Sequence, residues 1–451
     1  MTYHFVGVGG IGMSAIARIL RARNVAVSGS DLNVTPLIEQ LRREGVRVTI
    51  GHAARNVDGA DVVVVSSAID RHNPEYAAAQ RAGIPLLRRG EMLARLLSNR
   101  RGVAVCGTHG KTTTSAMTHA VLRGGGIDAG LALGGIDATL GSNARDGGSP
   151  WFVTEADESD GSFALLDPVI AIVTNIENDH LSSDDELPGL VRAFGEFLAK
   201  VPEDGFAIIG VDNALSSSLT DHDLRAAVLT FGLIPGARIR ATNLTFEDFG
   251  SRFEVFDGAR RLGTIELRVP GAMNVQNALA AIAVGCALEL PFERIAAALR
   301  GFRGVRRRFD ILLSNERMTI VDDYAHHPTA VRATIAAARH YHRGALVVAF
   351  QPHRYSRTAY LAAEFADALR GADRIYLTPV YAASEPAIPG VSERSIGDSL
   401  GSDGVRVDYV ACVEELETRI LAEAPSGAMV LMLGAGNITD AAERLADLAR
   451  G

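Results

Sequence analysis

The sequence predicts an α/β protein of three domains, each built on a mainly parallel sheet. Short apolar or β-branched runs alternate with helical patterns near both ends of the chain, which is typical of doubly wound sheets. Two glycine-rich turns, at residues 7–12 and 107–111, each follow an apolar run and open a helical pattern. At 451 residues the chain is also too long for one ordinary domain. We therefore expect two Rossmann-like domains on either side of a central phosphate-loop domain.

The first domain is predicted to span residues 1–98. Its strands are expected at residues 3–8, 25–29, 47–50 and 62–66, with a helix at 13–23. The segment that follows, at 97–102, is polar and ends in glycine. A domain boundary is therefore predicted there.

The first glycine turn has the pattern GxGxxG between a strand and a helix, formed by Gly7, Gly9 and Gly12 with Gly10 between them. Asp31 ends the second strand, where a ribose-binding acid is expected. Taken alone, the pattern favours an NAD-dependent oxidoreductase, although a glycine turn can also be purely structural. What it supports is a diphosphate beside a helix N-terminus. Polar residues end the other strands, at the usual ligand-binding edge: His52, Ser66, Ser67, Arg88 and Arg89.

The central domain is predicted to span residues 99–303 and opens with VAVCGTHGKTTTS at 103–115. Glycines let successive backbone N–H groups surround an anion, and the helix N-terminus adds positive potential. Lys111 is expected to reach the β and γ phosphates, and the Thr112 hydroxyl is expected to bind Mg²⁺. The common motif has glycine where this chain has Val105, so the match is incomplete.

Two clusters of carboxylates follow later strands of the central domain. The segment EADESD at 155–160 begins with Glu155, and NIENDH at 175–180 ends with His180. Parallel strands that end together would bring both residues beside the phosphate loop. Carboxylate and hydroxyl oxygens suit Mg²⁺, and histidine can serve at a second metal position. Each cluster alone could also be a solvated strand end.

The rest of the central domain has a different pattern of predicted secondary structure. Residues 241–269 show short alternating strands and turns, which predicts an antiparallel appendage. A buried helix is expected at 274–288. Asn274 and Asn277 begin it three residues apart, so their amides share a face. They could bind a nucleotide or cap the helix.

The third domain is predicted to span residues 304–451. Strands are expected at 318–321, 346–350, 374–379, 405–410 and 429–433, with a helix at 329–340. DDYAHHP at 322–328 and QPHRYSR at 351–357 end two of these strands, where α/β proteins place catalytic residues. The histidine pair could be a zinc site, but no third spaced histidine or cysteine supports one.

Composition limits the classes of partner. The formal net charge is −8, and Arg306–Arg308 is the only basic run, which argues against a nucleic-acid surface. Three distant cysteines support neither a disulfide framework nor a zinc cluster. No leader-type segment or apolar run of ~18 residues is present, so a cytoplasmic protein without a membrane span is predicted. The oligomeric state is left open.

These motifs, in this order, resemble the Mur ligase family, the ATP-dependent enzymes that build the peptidoglycan stem peptide. The resemblance rests on GTHGKTTT, EADESD, the ending at His180, NVQN, RRF at 307–309 and DDYAHHPT, and it spans essentially the whole chain. Three features depart from the family pattern. After His180 the chain continues with LSSDDELPG, where the family often has a segment containing Asp, Tyr and Gly. Met273 stands where a histidine is usual, and Asn437 stands where GAGD has aspartate.

The resemblance implies a role for each candidate residue. Catalysis is expected from Lys111, Glu155, His180 and His326, and Mg²⁺ is expected at Thr112, Glu155 and His180. ATP would be bound by Gly107, Thr108, Gly110, Lys111, Thr112, Thr113, Asn274, Asn277, Arg308 and Asp323. The sugar nucleotide and amino acid would be bound by Gly9, Gly10, Gly12, Ser30, Asp31, His52, Ser66, Ser67, Arg88 and Arg354.

The implied reaction joins L-alanine to UDP-N-acetylmuramate through an acyl phosphate, with ATP and Mg²⁺ as cofactors. The first domain would then hold a sugar nucleotide and not NAD. A recycling ligase of the same family, which adds a tripeptide to the same sugar nucleotide, is an alternative. An NAD-dependent oxidoreductase and a non-catalytic UDP-sugar sensor are alternatives of other classes.

Overall fold

The computed structural model of the chain describes residues 1–157, 162–178, 186–400 and 405–450. These residues form three sheets with helices between the strands, so the predicted three-sheet α/β fold is confirmed. They divide into two compact units. The first comprises residues 1–242, 253–265 and 276–303, and the second comprises 243–252, 266–275 and 304–451. The predicted boundaries at 98/99 and 303/304 stay predictions.

The first sheet has five parallel strands in the order β3-β2-β1-β4-β5. Its order reverses direction beside β1, which is the usual place for a ligand in such sheets. A short 3₁₀ helix at Ala54–Val57 follows β3. The elements are β1 (Thr2–Val6), α1 (Ile11–Ala22), β2 (Ala26–Asp31), α2 (Pro36–Arg43), β3 (Arg47–Ile50), β4 (Val62–Val65), α3 (Pro74–Ala82), β5 (Leu86–Arg88) and α4 (Arg89–Leu97).

The second sheet has ten strands among the described residues, in the order β15-β14-β13-β12-β11-β10-β6-β9-β7-β8. Further 3₁₀ turns lie at Ser162–Leu165 and Ser218–Asp221. The elements are β6 (Arg101–Cys106), α5 (Lys111–Gly124), β7 (Gly130–Asp137), β8 (Ser142–Arg145), β9 (Trp151–Glu155), β10 (Ile170–Val173), α6 (Leu187–Leu198), β11 (Phe206–Gly210), α7 (Ala214–Ser217), β12 (Ala227–Gly232), β13 (Ile239–Glu247), β14 (Gly250–Asp257), β15 (Arg260–Leu267), α8 (Ala272–Ala287) and α9 (Phe292–Gly301).

The third sheet lies in the second unit, in the order β16-β17-β21-β18-β19-β20. Only β16 is antiparallel to its neighbour among the described strands, and a bulge interrupts that pairing. The elements are β16 (Asp310–Ser314), β17 (Met318–Asp323), α10 (Pro328–Tyr341), β18 (Leu346–Phe350), α11 (Tyr355–Tyr360), α12 (Ala362–Leu369), β19 (Arg374–Leu377), α13 (Arg394–Leu400), β20 (Arg406–Tyr409), α14 (Glu415–Glu423), β21 (Ala428–Leu433) and α15 (Ile438–Arg450).

The predicted antiparallel appendage corresponds to β13, β14 and β15. Two residues, Asp248 and Phe249, connect β13 to β14, and both have positive φ (49° and 55°). That backbone is the tight hairpin turn that suits the twist of paired strands. The predicted strands did not include β5, β7, β8, β12 and β16. β8 has the sequence SNAR, which lacks an apolar run, and it is a strand because β7 pairs with it.

Within the first unit, α1 packs on the β7–β8 pair. Asn143 on β8 is fully buried, and its amide donates to Ile11 O (2.6 Å) and Ser14 Oγ (2.9 Å). Arg18 on α1 donates to Asn143 and pairs with Glu44 at 2.8 Å. These bonds fix the helix that follows the first glycine turn against the central sheet. None of the helices in the described ranges combines the length and apolar character that crossing a membrane requires.

Candidate active site

The second glycine turn connects β6 to α5 and depends on glycine at two positions. Gly107 has φ +119° and Gly110 has φ +85°, a backbone that side chains rarely adopt. A Cβ on Gly107 would lie 2.2 Å from Thr174 Oγ1, and one on Gly110 would lie 2.5 Å from Asn277 Oδ1. Val105 is fully buried within β6. The missing glycine of the common motif is therefore simply a strand residue here.

The turn is held by the segment after β10. Thr108 N donates to Asn175 O (2.9 Å), and His109 N donates to the Asn175 side chain (2.8 Å). The Thr108 hydroxyl accepts from Glu177 N at 2.8 Å. Side chain and backbone of Thr108 thus fix the turn's shape. Its predicted contact with ATP stays a prediction.

The first turn of α5 brings Thr112 to Glu155, at the end of β9. Thr112 Oγ1 donates to Glu155 Oε2 (2.9 Å), and Gly134 N on β7 donates to Glu155 Oε1 (2.5 Å). Lys111 Nζ donates to Gly107 O at 2.7 Å, so the ammonium lies over the turn itself. Thr113, beside them, is buried. Residues from a turn, a helix and two strands therefore meet at one sheet edge, as the sequence predicted for Lys111, Thr112 and Glu155.

The donor atoms at this edge fit Mg²⁺. Thr112 and Glu155 offer a hydroxyl and a carboxylate oxygen 2.9 Å apart, which are hard ligands of the kind that this ion prefers. A Cβ on Gly134 would approach Glu155 Oε1 to 3.1 Å, so glycine there leaves room for the carboxylate. The third predicted ligand, His180, lies outside the described residues.

The two asparagines of α8 have different surroundings. Asn277 is buried beneath the glycine turn, and its Oδ1 accepts from Thr114 Oγ1 at 3.1 Å. Asn274, which belongs to the second unit, donates from Nδ2 to Pro270 O at 2.7 Å. Because an N-cap side chain accepts from the helix backbone, Asn274 is not an ordinary cap. Binding of ATP by either residue stays a prediction.

The first glycine turn is filled by protein side chains at two points. Asp31 Oδ2 accepts from Gly9 N (2.8 Å), so the predicted ribose-binding carboxylate closes the turn. Arg89 lies against Gly12, where a Cβ would be 3.1 Å from Arg89 Cδ. The predicted ligand residue Arg88 is exposed at the end of β5. Arg89 is therefore the better placed of the two arginines.

The other first-domain candidates lie at the same sheet edge but differ in exposure. Ser30 is fully buried, so its hydroxyl points into the domain. His52 keeps a side-chain exposure of 11%. Ser66 is half-buried and Ser67 is exposed after β4. His52, Ser66 and Ser67 can reach a ligand with their side chains, whereas Ser30 cannot.

In the second unit, Asp323 is the last residue of β17, and its side chain is hydrogen-bonded to the backbone. Its carboxylate accepts from Phe309 N (2.7 Å) and Ala325 N (2.8 Å). Burial raises its pKa, although Arg308 and these two bonds oppose the shift. The Arg308 guanidinium lies 4.7 Å from the Tyr324 ring centre. Asp323 therefore fixes the segment that carries Arg308, and a direct contact of either residue with ATP stays a prediction.

His326 and Arg354 line the ends of β17 and β18. His326 Nδ1 donates to Tyr324 O (2.8 Å), and its ring packs edge-on against His353, 5.7 Å between centres. Arg354 has φ +71° and a side chain 44% exposed, with Nε 4.0 Å from Glu385. Arg354 is therefore an accessible cation at the carboxyl end of β18, and its role in an amino-acid site stays a prediction.

Two of the three departures from the family pattern have local partners, and most of the third, the segment after His180, lies outside the described residues. Asn437 Oδ1 accepts from Gln351 Nε2 at 2.8 Å, and Gln351 Oε1 accepts from Ile438 N at 3.2 Å. A neutral amide pair therefore occupies the loop where aspartate is usual. Met273 packs against the apolar core of the second unit.

Three successive parts of the chain match Mur ligase domains. Residues 2–101 match the Mur ligase family catalytic domain, 105–285 match the Mur ligase middle domain, and 307–436 match the Mur ligase glutamate ligase domain. The chain belongs to the Mur ligase family. Because the chain is a Mur ligase, its GxGxxG turn no longer indicates NAD binding. The NAD-dependent oxidoreductase alternative therefore loses its support.

Comparison with full-length relatives shows which members of the family the chain resembles. The chain is 44% identical over 448 residues to the UDP-N-acetylmuramate–L-alanine ligase of Acidithiobacillus ferrooxidans, covering 97% of this chain and 96% of the relative. The crystal structure of the Thermotoga maritima UDP-N-acetylmuramate–alanine ligase superposes with a TM-score of 0.86 at 30% identity, covering 100% and 99% of the two chains. A murein peptide ligase from Psychrobacter arcticus gives 0.75 at 24% identity, covering 99% and 98%, which shows the shared fold alone.

Sequence reasoning missed several residues of this Mur ligase. Gly134 was not singled out because a glycine in an unpredicted strand carries no signal. Gln351 was noted only as part of a motif. Glu75, fully buried in the first turn of α3, was not singled out either. Its partners are strands and loops far along the chain, which no local pattern reveals.

Proposed function

We propose that the chain joins the amino group of L-alanine to the lactyl carboxylate of UDP-N-acetylmuramate, converting ATP to ADP and phosphate. The observation that carries the chemistry is the meeting of Lys111, Thr112 and Glu155 at the second glycine turn. The full-length similarity to alanine ligases supports the choice of substrates. The reaction belongs to the synthesis of peptidoglycan precursors, and we place it in the cytoplasm.

Activation of the carboxylate explains the need for a phosphate loop. A carboxylate is a poor electrophile, so its oxygen first attacks the γ-phosphate of ATP and ADP leaves. Lys111 would neutralise the charge on the transferred group, together with backbone N–H groups of the turn. The L-alanine amine then attacks the acyl phosphate carbon, phosphate leaves, and the amine proton goes to solvent or a base. The product is the amide.

Mg²⁺ would be held by Thr112 and Glu155, with His180 as the further ligand that the family resemblance implies. When bound, the ion supplies positive charge to the phosphate oxygens. Glu155 is oriented for this by Gly134 N and Thr112 Oγ1. The residues present therefore suit a metal–nucleotide complex at this edge.

The sugar nucleotide is assigned to the carboxyl edge of the first sheet. The N-terminus of α1 and the turn at Gly9, Gly10 and Gly12 suit its diphosphate, with Arg89 alongside. His326 and Arg354 in the second unit are assigned to the reacting substrates. Asn274, Asn277, Arg308 and Asp323 are assigned to ATP, directly or by holding its contacts.

Phosphate release tests the proposal. The purified chain is assayed with ATP, Mg²⁺ and UDP-N-acetylmuramate, and with L-alanine, glycine, L-serine or the stem tripeptide as amine. We expect release that depends on L-alanine and a product heavier by one alanyl residue. Release only with the tripeptide would favour the recycling ligase. Sugar-nucleotide binding without release for any amine would favour the UDP-sugar sensor.

A further inference from the structure

Glu75 is a buried carboxylate at the centre of a polar cluster in the first domain. It lies in the first turn of α3 and has no solvent exposure. Burial alone would raise its pKa, but hydrogen bonds from His4, Ser30 and Asn56 outweigh it and lower the pKa to about 2. Glu75 is therefore a buried anion at neutral pH. Such an anion is costly unless donors surround it.

Five donors surround the Glu75 carboxylate. Oε2 accepts from His4 Nε2 (2.8 Å) and Ser30 Oγ (2.7 Å). Oε1 accepts from Asn56 Nδ2 (2.7 Å), His52 Nδ1 (3.1 Å) and Ala53 N (3.3 Å). These donors come from β1, β2 and the loop after β3. One side chain on α3 therefore ties together three neighbouring segments at the ligand-binding edge.

The Glu75 carboxylate dictates which ring nitrogen of His4 and of His52 carries a hydrogen. A carboxylate only accepts, so His52 must carry hydrogen on Nδ1 and His4 must carry hydrogen on Nε2. His4 Nδ1 then accepts from Ser28 Oγ at 2.9 Å. In neutral His52 the remaining nitrogen, Nε2, keeps its lone pair. The His52 side chain as a whole retains 11% exposure.

We propose that Glu75 is a positioning residue for the sugar nucleotide, holding the His52 ring so that Nε2 accepts a hydrogen bond from the ligand. The donor on the ligand is a hydroxyl or an imide N–H, the two donor types that a uridine sugar nucleotide carries. Glu75 itself is buried and touches no ligand; it acts through His52 and the loop at 51–56. The proposal rests on the proposed function, because that function places the nucleotide at this edge.

Glu75→Gln tests this directly. The amide keeps the shape but loses the charge and turns a donor toward His52 or His4. We expect the KM for UDP-N-acetylmuramate and the Kd for UDP, measured by calorimetry, to rise about tenfold, the worth of one hydrogen bond. The KM for ATP and kcat should change less than about threefold. A rise in all constants together, or in none, would overturn the proposal.

A matched control separates positioning from stability. Val64→Ala removes buried apolar atoms from the other face of β4, where Val64 is the register partner of Phe5 and not of a cluster residue. Where Val64→Ala lowers the thermal midpoint as much as Glu75→Gln, it should leave the KM for the sugar nucleotide unchanged. Equal losses of nucleotide affinity in the two variants would reduce Glu75 to a structural role and contradict the proposal.

Coupling between the two residues tests the route of the effect. His52→Gln in the wild-type background should weaken UDP binding about tenfold, and in the Glu75→Gln background it should add less than about threefold. Independent, multiplicative losses would show that Glu75 does not act through His52. That result would overturn the proposal even if each single variant bound UDP poorly.

A spectroscopic measurement on the wild-type protein tests the proposal even if the Glu75 variants do not fold. In ¹⁵N-histidine-labelled wild-type protein at pH 8, with His52 assigned by the His52→Gln spectrum, the Nδ1–H tautomer should dominate and UDP should shift the Nε2 resonance. A dominant Nε2–H tautomer would overturn the proposal. Failure of the wild type to bind UDP-N-acetylmuramate would instead overturn the proposed function, so the two failures are distinguishable.

Discussion

The two glycine turns of the first unit have the same layout but different surroundings. Each connects a parallel strand to a helix, and each is closed by a carboxylate. In the first turn Asp31 accepts from the turn's own Gly9 N. In the second turn Glu155 accepts from the Thr112 hydroxyl, a side chain of the helix that follows the turn. The first turn has no lysine, whereas the second begins its helix with Lys111.

The difference separates binding an anion from reacting with one. Backbone N–H groups and a helix N-terminus are enough to hold a diphosphate. Phosphoryl transfer also needs fixed positive charge near the transferred group. The more regular GxGxxG turn therefore suits the substrate, and the less regular GTHGKTT turn suits the chemistry. Four experiments can break or sharpen this division.

The largest expected effect is that of Lys111→Ala. Removing the ammonium should lower kcat by ~10³-fold, because charge on the transferred phosphoryl group loses its nearest cation. The Kd for UDP-N-acetylmuramate should stay within about threefold of wild type. Phosphate release and calorimetry measure the two quantities. Equal losses in both would show that the turns do not divide the work.

Glu155→Gln is expected to have the next largest effect. The amide has a single oxygen, so it can keep only one of the two bonds that the carboxylate accepts from Thr112 and Gly134. It also lacks the charge that a divalent cation requires. We expect kcat to fall by ~10²-fold and the Mg²⁺ concentration for half-maximal rate to rise. Titration of the rate with Mg²⁺ measures this. An unchanged Mg²⁺ requirement would remove Glu155 from the metal site.

Acid stability distinguishes the buried carboxylate of the first domain. The pKa of Glu75 falls from 4.5 to about 2 on folding, because hydrogen bonds from His4, Ser30 and Asn56 outweigh the effect of burial. Its stabilisation is therefore fully present above pH 4.5 and is lost as the pH falls toward 2, roughly 3 kcal/mol in total. Urea unfolding at pH 7 and pH 3 measures it.

The control for acid stability is Glu75→Gln. This variant should be less stable than wild type at pH 7. The gap should narrow at pH 3, because the Glu75 carboxyl of the unfolded wild type is then protonated while that of the folded wild type is still mostly ionised. A gap that is independent of pH would contradict the low pKa of Glu75.

The smallest expected effect compares glycines in the two turns. Gly107→Ala places a Cβ 2.2 Å from Thr174 Oγ1 at φ +119°, which should cost ~1–3 kcal/mol and weaken ATP binding. Gly10 has an ordinary φ of −63°, and a Cβ there would meet Gly7 O at 3.4 Å. Gly10→Ala should therefore change stability by less than ~1 kcal/mol. Thermal midpoints and ATP affinities measure both, and equal costs would contradict the strain argument.

Much of the fold was predictable because apolar runs such as the VVVV of β4 and LVVAF of β18 mark buried parallel strands. The strands β7 and β8 were not predictable, since GLALGGID and SNAR lack a strand pattern and form by pairing with each other. That Lys111, Thr112 and Glu155 lie close together was predictable from residue type and strand ends, and their roles stay predictions. Gly134 and Glu75 were not predictable, because their roles depend on distant partners.

By itself the sequence determined the α/β class, the two glycine turns and the residue types at each strand end, since these depend on local periodicity and side-chain chemistry. The tertiary structure alone decided which side chains meet. It brought Gly134 N to Glu155, placed Arg89 and not Arg88 against the first turn, and buried Glu75 among donors from three segments. The physical reason is that hydrogen bonds between residues far apart in the chain are set by strand order and register.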